Sequence, residues 1–334
     1  MKALQIPAPR QVRLIELPDP AAGPGEILLQ LHYVGFCGSD LNTWRGGNAM
    51  AKSDVIPGHE IGARIAATGP GVPELFRPGQ VVTVDPYTHC GHCASCRAGR
   101  FNACEHNETL GVQRDGAMRE YISVPWQKVI PAEGISLRDA ALIEPMSVGF
   151  HAVARAAVTD TDTVLVIGCG MVGLGAVVRS IRRGATVIAA DIDPDKLSLA
   201  RELGAAYTYN TAAQWRELPV PGVVIEAVGS PATYRLAIEE VDFCGRVACI
   251  GYAKSDVELT TGLIVKKELD VRGSRNATPA DFEAVIRTIR GGTLPLDSFV
   301  SAIVGPEETQ AALERWDADP GKVFRILTQW NTEN

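Results

Sequence analysis

The stretch TVLVIGCGMVG, residues 163–173, carries the strongest fold signal in this chain. Its first five residues are β-branched or aliphatic, which is typical of a buried strand. Gly168, Gly170 and Gly173 then form the pattern Gly-x-Gly-x-x-Gly, and residues 171–183 have the spacing of a helix. A strand, a glycine turn and a helix in this order predict the opening of a β-α-β unit.

The regions on either side of this stretch differ in character. Residues before about Phe150 are rich in proline and glycine and contain short β-like runs, such as 26–34 and 80–85, which predict a mostly β domain. After Phe150, aliphatic runs alternate with helical stretches, which predicts an α/β fold with a doubly wound parallel sheet. The helices and strand near the end of the chain are expected to rejoin the first domain. The predicted strands are 163–167, 186–190, 222–227, 246–251, 269–273 and 323–327, and the predicted helices are 171–183, 194–203, 231–241, 281–290 and 307–318.

A carboxylate follows the glycine motif at the spacing that coenzyme binding requires. Asp191 ends the next predicted strand, about 20 residues on, where it can accept hydrogen bonds from ribose hydroxyls and repel a 2′-phosphate. The sequence therefore predicts NAD rather than NADP. Lys196 either reaches the adenosine end of the coenzyme or is a solvated charge at a helix start. The motif residues predicted to bind the coenzyme are Gly168, Gly170, Met171, Val172 and Gly173, and the alternative is a glycine turn that packs a helix on the sheet without a ligand.

Four cysteines, Cys90, Cys93, Cys96 and Cys104, are separated by two, two and seven residues. Short Cys-x-x-Cys turns bring successive thiolates to one point, where they can surround a metal ion tetrahedrally. We interpret this loop as a structural zinc site that supports the fold but is not itself the function. The alternative is two disulfide bonds, which are rare in cytosolic proteins.

A second group of residues has the composition of a catalytic metal site. Cys37, in the run Cys-Gly-Ser-Asp, and the pair His59-Glu60 supply a thiolate, an imidazole and a carboxylate. Such a set would leave one coordination position open for a substrate. Glu144 follows the apolar run 140–143, where an unpaired carboxylate is costly and a cation is a reasonable partner.

Length, composition and charge limit the classes of protein that this chain can be. A length of 334 residues predicts two domains, and a hydrophobic content of 46% fits a globular enzyme. The formal net charge of -7 argues against a nucleic-acid surface. The longest uncharged run, 163–178, is shorter than the roughly 20 apolar residues that span a bilayer. Because residues 1–10 do not resemble a signal peptide, we expect a cytoplasmic protein. We also expect its partner to be a small-molecule substrate.

These motifs together resemble those of the zinc-dependent medium-chain dehydrogenases, the family of alcohol, polyol and threonine dehydrogenases, over essentially the whole chain. The resemblance implies a GroES-like catalytic domain, residues 1–148 and 275–334, and a NAD-binding Rossmann domain, residues 149–274. It also implies two zinc ions per subunit, one catalytic and one structural, and a homotetramer. Glu144 occupies the place of a ligand cysteine in classical alcohol dehydrogenases, and the Glu144-Pro145 pair resembles the polyol and threonine branch.

The resemblance assigns roles to residues around the catalytic zinc. Cys37 and His59 would bind the metal, with Glu60 and Glu144 as exchangeable ligands. Ser39 matches the hydroxyl that relays the alcohol proton outward in the family.

The outer end of this relay departs from the family pattern. Asn42 stands near the place where a histidine is often found. Because an amide does not titrate, we expect the proton to leave through water or the coenzyme ribose.

A finer resemblance concerns the substrate. The segment GSRNATP, residues 273–279, resembles bacterial sugar-acid 5-dehydrogenases of the L-galactonate or L-gulonate type. Arg275 offers a planar fork for a carboxylate and Asn276 can hydrogen-bond hydroxyls, although Arg275 could equally hold the coenzyme or tie the domains together. Trp44 either forms a wall of the substrate cleft or is an ordinary packing residue. Arg325 resembles the family's arginine that contacts the coenzyme pyrophosphate, with a surface charge as the alternative.

The main hypothesis is the oxidation of a secondary alcohol of a sugar acid or polyol to a ketone, with hydride transfer to NAD. Its most specific form is a sugar-acid (aldonate) 5-dehydrogenase. The enzymatic alternatives are a polyol dehydrogenase acting on sorbitol-like or galactitol-like substrates and an L-threonine 3-dehydrogenase. A remaining alternative is a non-catalytic, NAD-sensing protein that keeps both zinc sites as scaffold.

Overall fold

The chain forms two compact units in the computed structural model, which describes residues 1–212 and 218–331. The first unit comprises Met1–Glu144 and Ile286–Asn334, and the second comprises Pro145–Val285. The chain thus leaves the first unit once and returns to it near its end.

The first unit consists mainly of strands, and the second alternates strands with helices. The strands are β1 (Lys2–Ala8), β2 (Gln11–Glu16), β3 (Glu26–Phe36), β4 (Glu60–Thr68), β5 (Val81–Val84), β6 (Tyr121–Pro125), β7 (Val129–Pro131), β8 (Thr163–Ile167), β9 (Thr186–Asp191), β10 (Tyr207–Asn210), β11 (Val223–Glu226), β12 (Arg246–Cys249), β13 (Asp270–Gly273), β14 (Ala302–Val304) and β15 (Ile326–Gln329). The α-helices are α1 (Gly38–Trp44), α2 (Ala94–Arg97), α3 (Leu137–Ala140), α4 (Ile143–Arg155), α5 (Met171–Arg182), α6 (Pro194–Glu202), α7 (Pro231–Glu240), α8 (Thr261–Lys266), α9 (Pro279–Arg290) and α10 (Thr309–Ala318).

The second unit is built on a six-stranded sheet in the order β10-β9-β8-β11-β12-β13. Every neighbouring pair in this sheet is parallel. Residues Val164 to Ile167 of β8 are all buried, as expected for a parallel strand covered on both faces. Strand order reverses at β8, between β9 and β11, and ligands bind at such a point in open α/β sheets.

The first unit contains a mostly antiparallel sheet in the order β14-β15-β3-β4-β5-β7, with β6 paired to β3. Strand β3 pairs with β4 along one side and with β6 and then β15 along the other. The register places Gly35 opposite Glu60 and Phe36 opposite Ile326. The carboxyl end of β3 therefore meets the starts of β4 and β15.

The predicted fold class is confirmed: an α/β doubly wound sheet accompanies a mostly β unit. Strand 163–167 has its predicted bounds. The terminal strand begins three residues later than the predicted 323, at Ile326, because the Phe324 N–H and the Arg325 carbonyl bond to Ser301 instead of joining the ladder with β3.

The compact units divide the chain near the predicted domain boundaries but not at them. The predicted boundaries, 1–148 with 275–334 and 149–274, stay predictions, and residues 332–334 of the second segment lie outside the described residues. In the described part of the chain, no helix combines the length and apolar character needed to cross a membrane.

Candidate functional site

Three side chains with metal-binding atoms meet where β3 ends and β4 begins. Cys37 follows β3 directly and precedes α1, while His59 and Glu60 stand at the start of β4. One ligand atom from each of the three lies within 4.8 Å of the other two. The register that pairs Gly35 with Glu60 brings these residues together although they are distant in sequence.

Two glycines make room for this group. A Cβ on Gly35 would overlap Glu60 Oε2 and lie 3.0 Å from Glu60 Cβ. Gly58 has a φ of +96°, which L side chains rarely adopt, and a Cβ there would lie 2.8 Å from Val34 Cγ1. The strand pairing at Glu60 and the turn that precedes His59 therefore both require glycine.

Asp40 fixes both segments that carry the three ligands. Its carboxylate is completely buried and accepts hydrogen bonds from the Cys37 N–H at 2.8 Å and from the Gly58 N–H at 3.4 Å. Asp40 was not among the residues predicted to build the site. The available signal is its place three residues after Cys37, from which an acidic side chain can bond back to the residue that starts a helix.

Burial changes the protonation of this group of residues. It raises the pKa of Asp40, and it raises that of Glu60 well above its usual value. Burial alone would lower the pKa of His59, but the charge of Asp40 and the contact with Cys37 raise it well above the ordinary value. For Cys37, burial raises the thiol pKa, yet the hydrogen bond and charge of His59 bring it below the ordinary value. The surroundings thus favour a thiolate beside a positive charge.

The residues of this group fit a zinc ion. His59 Nδ1 and Glu60 Oε1 are buried and have no hydrogen-bond partner among the described residues. Buried polar atoms are rarely left in that state. Thiolate, imidazole and carboxylate are ligands that zinc accepts, and three protein ligands leave one position for a substrate.

Arg325 lies against the same group, immediately before β15. Its side chain is buried, with Nε 3.1 Å from Glu60 Oε2 in an ion pair and Nη1 donating to the Phe36 carbonyl at 2.6 Å. The alternative that Arg325 is a surface strand charge is therefore wrong. Its contact with the coenzyme pyrophosphate stays a prediction.

Glu144 lies near this group but is not one of the three. One of its carboxylate oxygens accepts a hydrogen bond from the Tyr87 hydroxyl, and both side chains are buried. Burial raises the pKa of Glu144 and raises that of Tyr87 well above its usual value. The sequence does not reveal this contact, because a tyrosine ahead of the cysteine loop carries no local signal for it.

The two residues of the predicted relay lie on α1, which follows Cys37. Ser39 Oγ and Asn42 Oδ1 are buried atoms, and neither makes a hydrogen bond within residues 1–212 and 218–331. The role of Ser39 as a relay hydroxyl stays a prediction.

Trp44 ends the same helix and is part of the hydrophobic core. It is 0% exposed, its Nε1 lies 3.4 Å from Gln310 Oε1, and the Arg10 guanidinium stacks over its ring at 5.2 Å. The prediction that Trp44 walls a substrate cleft is therefore wrong. Its ring is covered by core residues, and the alternative of ordinary packing is confirmed.

The four cysteines of the loop converge as predicted. Their sulfur atoms lie within 4.8 Å of one another and all four are free thiols. The Sγ atoms of Cys93 and Cys104 are 3.8 Å apart, far beyond the roughly 2.05 Å of a disulfide bond. The disulfide alternative is therefore wrong, and the arrangement fits a closed tetrahedral zinc site.

In the second unit, the glycine motif occupies the carboxyl end of β8. Gly168 has a φ of +94°, and a Cβ there would lie 2.6 Å from Val228 Cγ2. A Cβ on Gly173 would overlap the Gly168 carbonyl. The turn can therefore be this tight, and its backbone N–H groups can approach a phosphate, because these positions are glycine.

Asp191 stands beside this turn at the end of the neighbouring strand β9. Its carboxylate accepts hydrogen bonds from the Cys169 N–H at 2.7 Å and from the Asp193 N–H at 2.9 Å. The structure thus brings the predicted ribose-binding carboxylate to the glycine turn. Lys196 lies in the first turn of α6 and is half-buried.

Arg275 and Asn276 follow β13 in the second unit. Both are half-buried, both interact with other groups of the protein, and Asn276 has a left-handed φ of +56°. Asp281 stabilises the segment that follows Asn276. Its carboxylate accepts hydrogen bonds from the Thr278 N–H, the Thr278 hydroxyl and the His151 ring. A contact of Arg275 and Asn276 with a substrate stays a prediction.

Comparison with known proteins assigns the chain to a class. Residues 23–134 match the family model of the alcohol dehydrogenase GroES-like domain, and residues 172–291 match that of the zinc-binding dehydrogenase. The chain therefore belongs to the zinc-dependent medium-chain dehydrogenases, which are oxidoreductases acting on CH–OH groups.

Individual relatives narrow this class to the polyol and sugar-acid dehydrogenases. The chain is 33% identical to L-galactonate-5-dehydrogenase of Escherichia coli K12 over 310 residues, which are 90% of this chain and 91% of the relative. It is also 33% identical to sorbitol dehydrogenase of Bacillus subtilis 168, over 94% of this chain and 93% of the relative. Among solved structures, an alcohol dehydrogenase (rspB) from Escherichia coli CFT073 in complex with NADH superposes with a TM-score of 0.88 at 28% identity, covering 98% of this chain and 99% of that one.

Proposed function

We propose that the protein oxidises a secondary alcohol of a sugar acid to a ketone with NAD, most specifically as an aldonate 5-dehydrogenase. The observation that carries the reaction is the group Cys37, His59 and Glu60, whose ligand atoms lie within 4.8 Å of one another. The relative that acts on L-galactonate and the segment 273–279 support the sugar-acid class.

In this proposal the first unit is the catalytic domain. Cys37, His59 and Glu60 hold the catalytic zinc, with Glu144 close by, and the cysteine loop holds the structural zinc. When bound, the catalytic ion polarises the substrate hydroxyl and lowers its pKa. Arg325 offsets the charge of Glu60, and Asp40 keeps the segments of Cys37 and His59 in register.

The proton of the substrate hydroxyl passes to Ser39 Oγ. This oxygen is buried next to Cys37 and has no competing hydrogen bond in the described structure. Asn42 can orient a water molecule but cannot take up a proton, so the proton leaves the relay through water or the coenzyme ribose.

The second unit binds the coenzyme in this proposal. The turn formed by Gly168, Gly170 and Gly173 receives the pyrophosphate, and Asp191 accepts hydrogen bonds from the ribose, which favours NAD over NADP. Met171, Val172 and Lys196 line the same region. The solved relative in complex with NADH supports a nicotinamide coenzyme. We also propose a cytoplasmic homotetramer.

The substrate carboxylate would be bound by Arg275, with Asn276 hydrogen-bonded to a hydroxyl. A guanidinium fork matches a carboxylate in two hydrogen bonds, which an uncharged alditol cannot offer. Carboxylate recognition by Arg275 would therefore favour sugar acids over polyols in the same reaction.

A polyol dehydrogenase is the second candidate. The sorbitol dehydrogenase relative has the same identity as the L-galactonate relative over a larger share of the chain. The zinc, relay and coenzyme residues would have the same roles, and Arg275 would then hold the coenzyme or tie the domains. L-Threonine stays a further candidate, distinguished by its need for an α-ammonium group.

The experiment is a measurement of NADH formation with matched substrates. L-Galactonate, L-gulonate and other aldonates are compared with their alditols, with L-threonine and with simple secondary alcohols, and the metal content of the same sample is determined. A preference for the aldonate over its alditol by tenfold or more in kcat/KM supports the proposal. Equal rates, or a preference for the alditol, discard carboxylate recognition, and turnover of no alcohol discards the enzymatic proposal.

A further inference from the structure

Two buried glutamates stand near one metal group, and the structure distinguishes them. Glu60 belongs to the group whose ligand atoms lie within 4.8 Å of one another, together with Cys37 and His59. Among the described residues, Glu144 is not part of that group, and one of its oxygens is bonded to the Tyr87 hydroxyl.

Both carboxylates are candidate ligands of the same cation. A metal with three protein ligands keeps a position for the substrate oxygen, and a fourth protein ligand closes it. An unrestrained carboxylate at the position of Glu144 would therefore compete with the substrate. A donor that holds Glu144 back keeps the site open.

We propose that Tyr87 is a positioning residue that holds Glu144 out of the resting ligand set and so keeps the substrate position free. This inference rests on the proposed assignment of Cys37, His59 and Glu60 as the ligands. Tyr87 acts through Glu144. Its hydroxyl donates to Glu144, which gives the carboxylate a partner other than the cation.

Tyr87 is well placed for this role because its own position is fixed. Tyr87 is 4% exposed, and its backbone N–H donates to Asp85 Oδ1 at 3.1 Å. Asp85 is held in turn by the Lys128 ammonium at 2.7 Å, and the Tyr87 backbone forms a bridge with Thr109. A donor with so little freedom loses little entropy when it binds the carboxylate.

The test compares Tyr87→Phe with the wild-type holoenzyme. The hydrogen bond to a charged group is lost, so the equilibrium between the held and the metal-bound carboxylate should shift by about tenfold or more. We expect KM for the best substrate of the aldonate and alditol panel to rise about tenfold by the same reasoning, with a smaller change in kcat. We also expect slower transfer of the catalytic ion to a chelator and a changed visible spectrum of the Co²⁺-substituted enzyme.

Two further variants make the result specific. Tyr121→Phe removes a tyrosine hydroxyl of the same unit, on β6, and should resemble the wild type in every measurement. In a Glu144→Gln background, Tyr87→Phe should have no further effect, because an amide is a weak zinc ligand and does not compete for the ion.

The outcomes separate failure of the inference from failure of the proposed function. The inference would be overturned if Tyr87→Phe had the same KM, metal release and Co²⁺ spectrum as the wild type. It would also be overturned if Tyr87→Phe had its full effect in the Glu144→Gln background. Cys37→Ser is the check on the ligand assignment and should lose one of two ions per chain. If it keeps both ions, the ligand assignment is wrong and the inference falls with it.

Discussion

Replacing Gly35 with alanine tests whether strand register builds the catalytic metal site. Gly35 lies opposite Glu60 in the β3–β4 pairing and is buried. An added Cβ would overlap Glu60 Oε2 and lie 3.0 Å from Glu60 Cβ and 3.2 Å from its Cδ. The carboxylate must therefore move, and Arg325, its ion-pair partner, must adjust with it.

The expected size follows from the cost of overpacking. One extra carbon in a tightly packed core costs about 1–3 kcal/mol. If that cost falls on the conformation of Glu60 that binds metal, the affinity for the catalytic ion decreases by roughly fivefold to 150-fold, since about 1.4 kcal/mol is a factor of ten. Alanine is a better strand residue than glycine by about 0.5–1 kcal/mol, which offsets part of the loss in folding stability. The effect should therefore be larger on metal binding than on unfolding.

The assay is competition for zinc against a chelator of known affinity, followed with thermal unfolding of the same samples. The structural zinc of the cysteine loop serves as an internal control and should be retained. Gly222→Ala is the matched variant, because a Cβ there meets nothing within 4 Å. A Gly35→Ala protein that binds both ions as tightly as the wild type would refute the reasoning. A loss of both ions would show general unfolding instead of a local effect.

The other two expectations concern the second unit. Asp191→Gly should weaken NAD binding and relax discrimination against NADP, because a ribose acceptor and a charge that repels the 2′-phosphate are both removed; an unchanged ratio of the two KM values would contradict it. Burial alone would raise the pKa of Asp281, but the hydrogen bonds from His151 and Thr278 outweigh burial and lower the pKa. Ionised Asp281 therefore stabilises the fold above its pKa in the unfolded state, about 3.9. This stabilisation is lost as the pH falls through the pKa of Asp281 in the folded state. Asp281→Ala should therefore lower unfolding stability by about 1–3 kcal/mol at neutral pH, and the difference measured by urea denaturation should shrink in acid; a constant difference across pH would count against this role.

The parts of the molecule that sequence predicts well are those encoded by neighbours in the chain. The glycine motif and its strand and helix depend on residues 163–183, and the cysteine loop depends on residues 90–104. In both, the spacing alone limits the backbone to a few conformations. The structure accordingly has β8 at its predicted bounds and the four thiols at one point.

The parts that sequence does not predict depend on which strands become neighbours. Arg325 reaches Glu60 because Phe36 pairs with Ile326, a contact across most of the chain. The hydrogen bond between Tyr87 and Glu144 likewise joins segments that are distant in the sequence. Trp44 was misplaced for a related reason, since a short helix does not reveal which of its faces the rest of the fold will cover.

The acidic excess at the first unit's site links these contacts to function. The carboxylates of Asp40, Glu60 and Glu144 are buried near the half-buried Cys37, and Arg325 supplies a compensating guanidinium. Each buried charge without a partner costs several kcal/mol, so this arrangement is unfavourable unless further positive charge is added. A divalent cation adds it, and the free energy that burial costs the acidic groups is recovered as metal affinity. The same excess explains why the two carboxylates outside the ligand group need donors of their own: without a defined partner, Asp40 or Glu144 would compete for the cation and for the place where a substrate oxygen must bind.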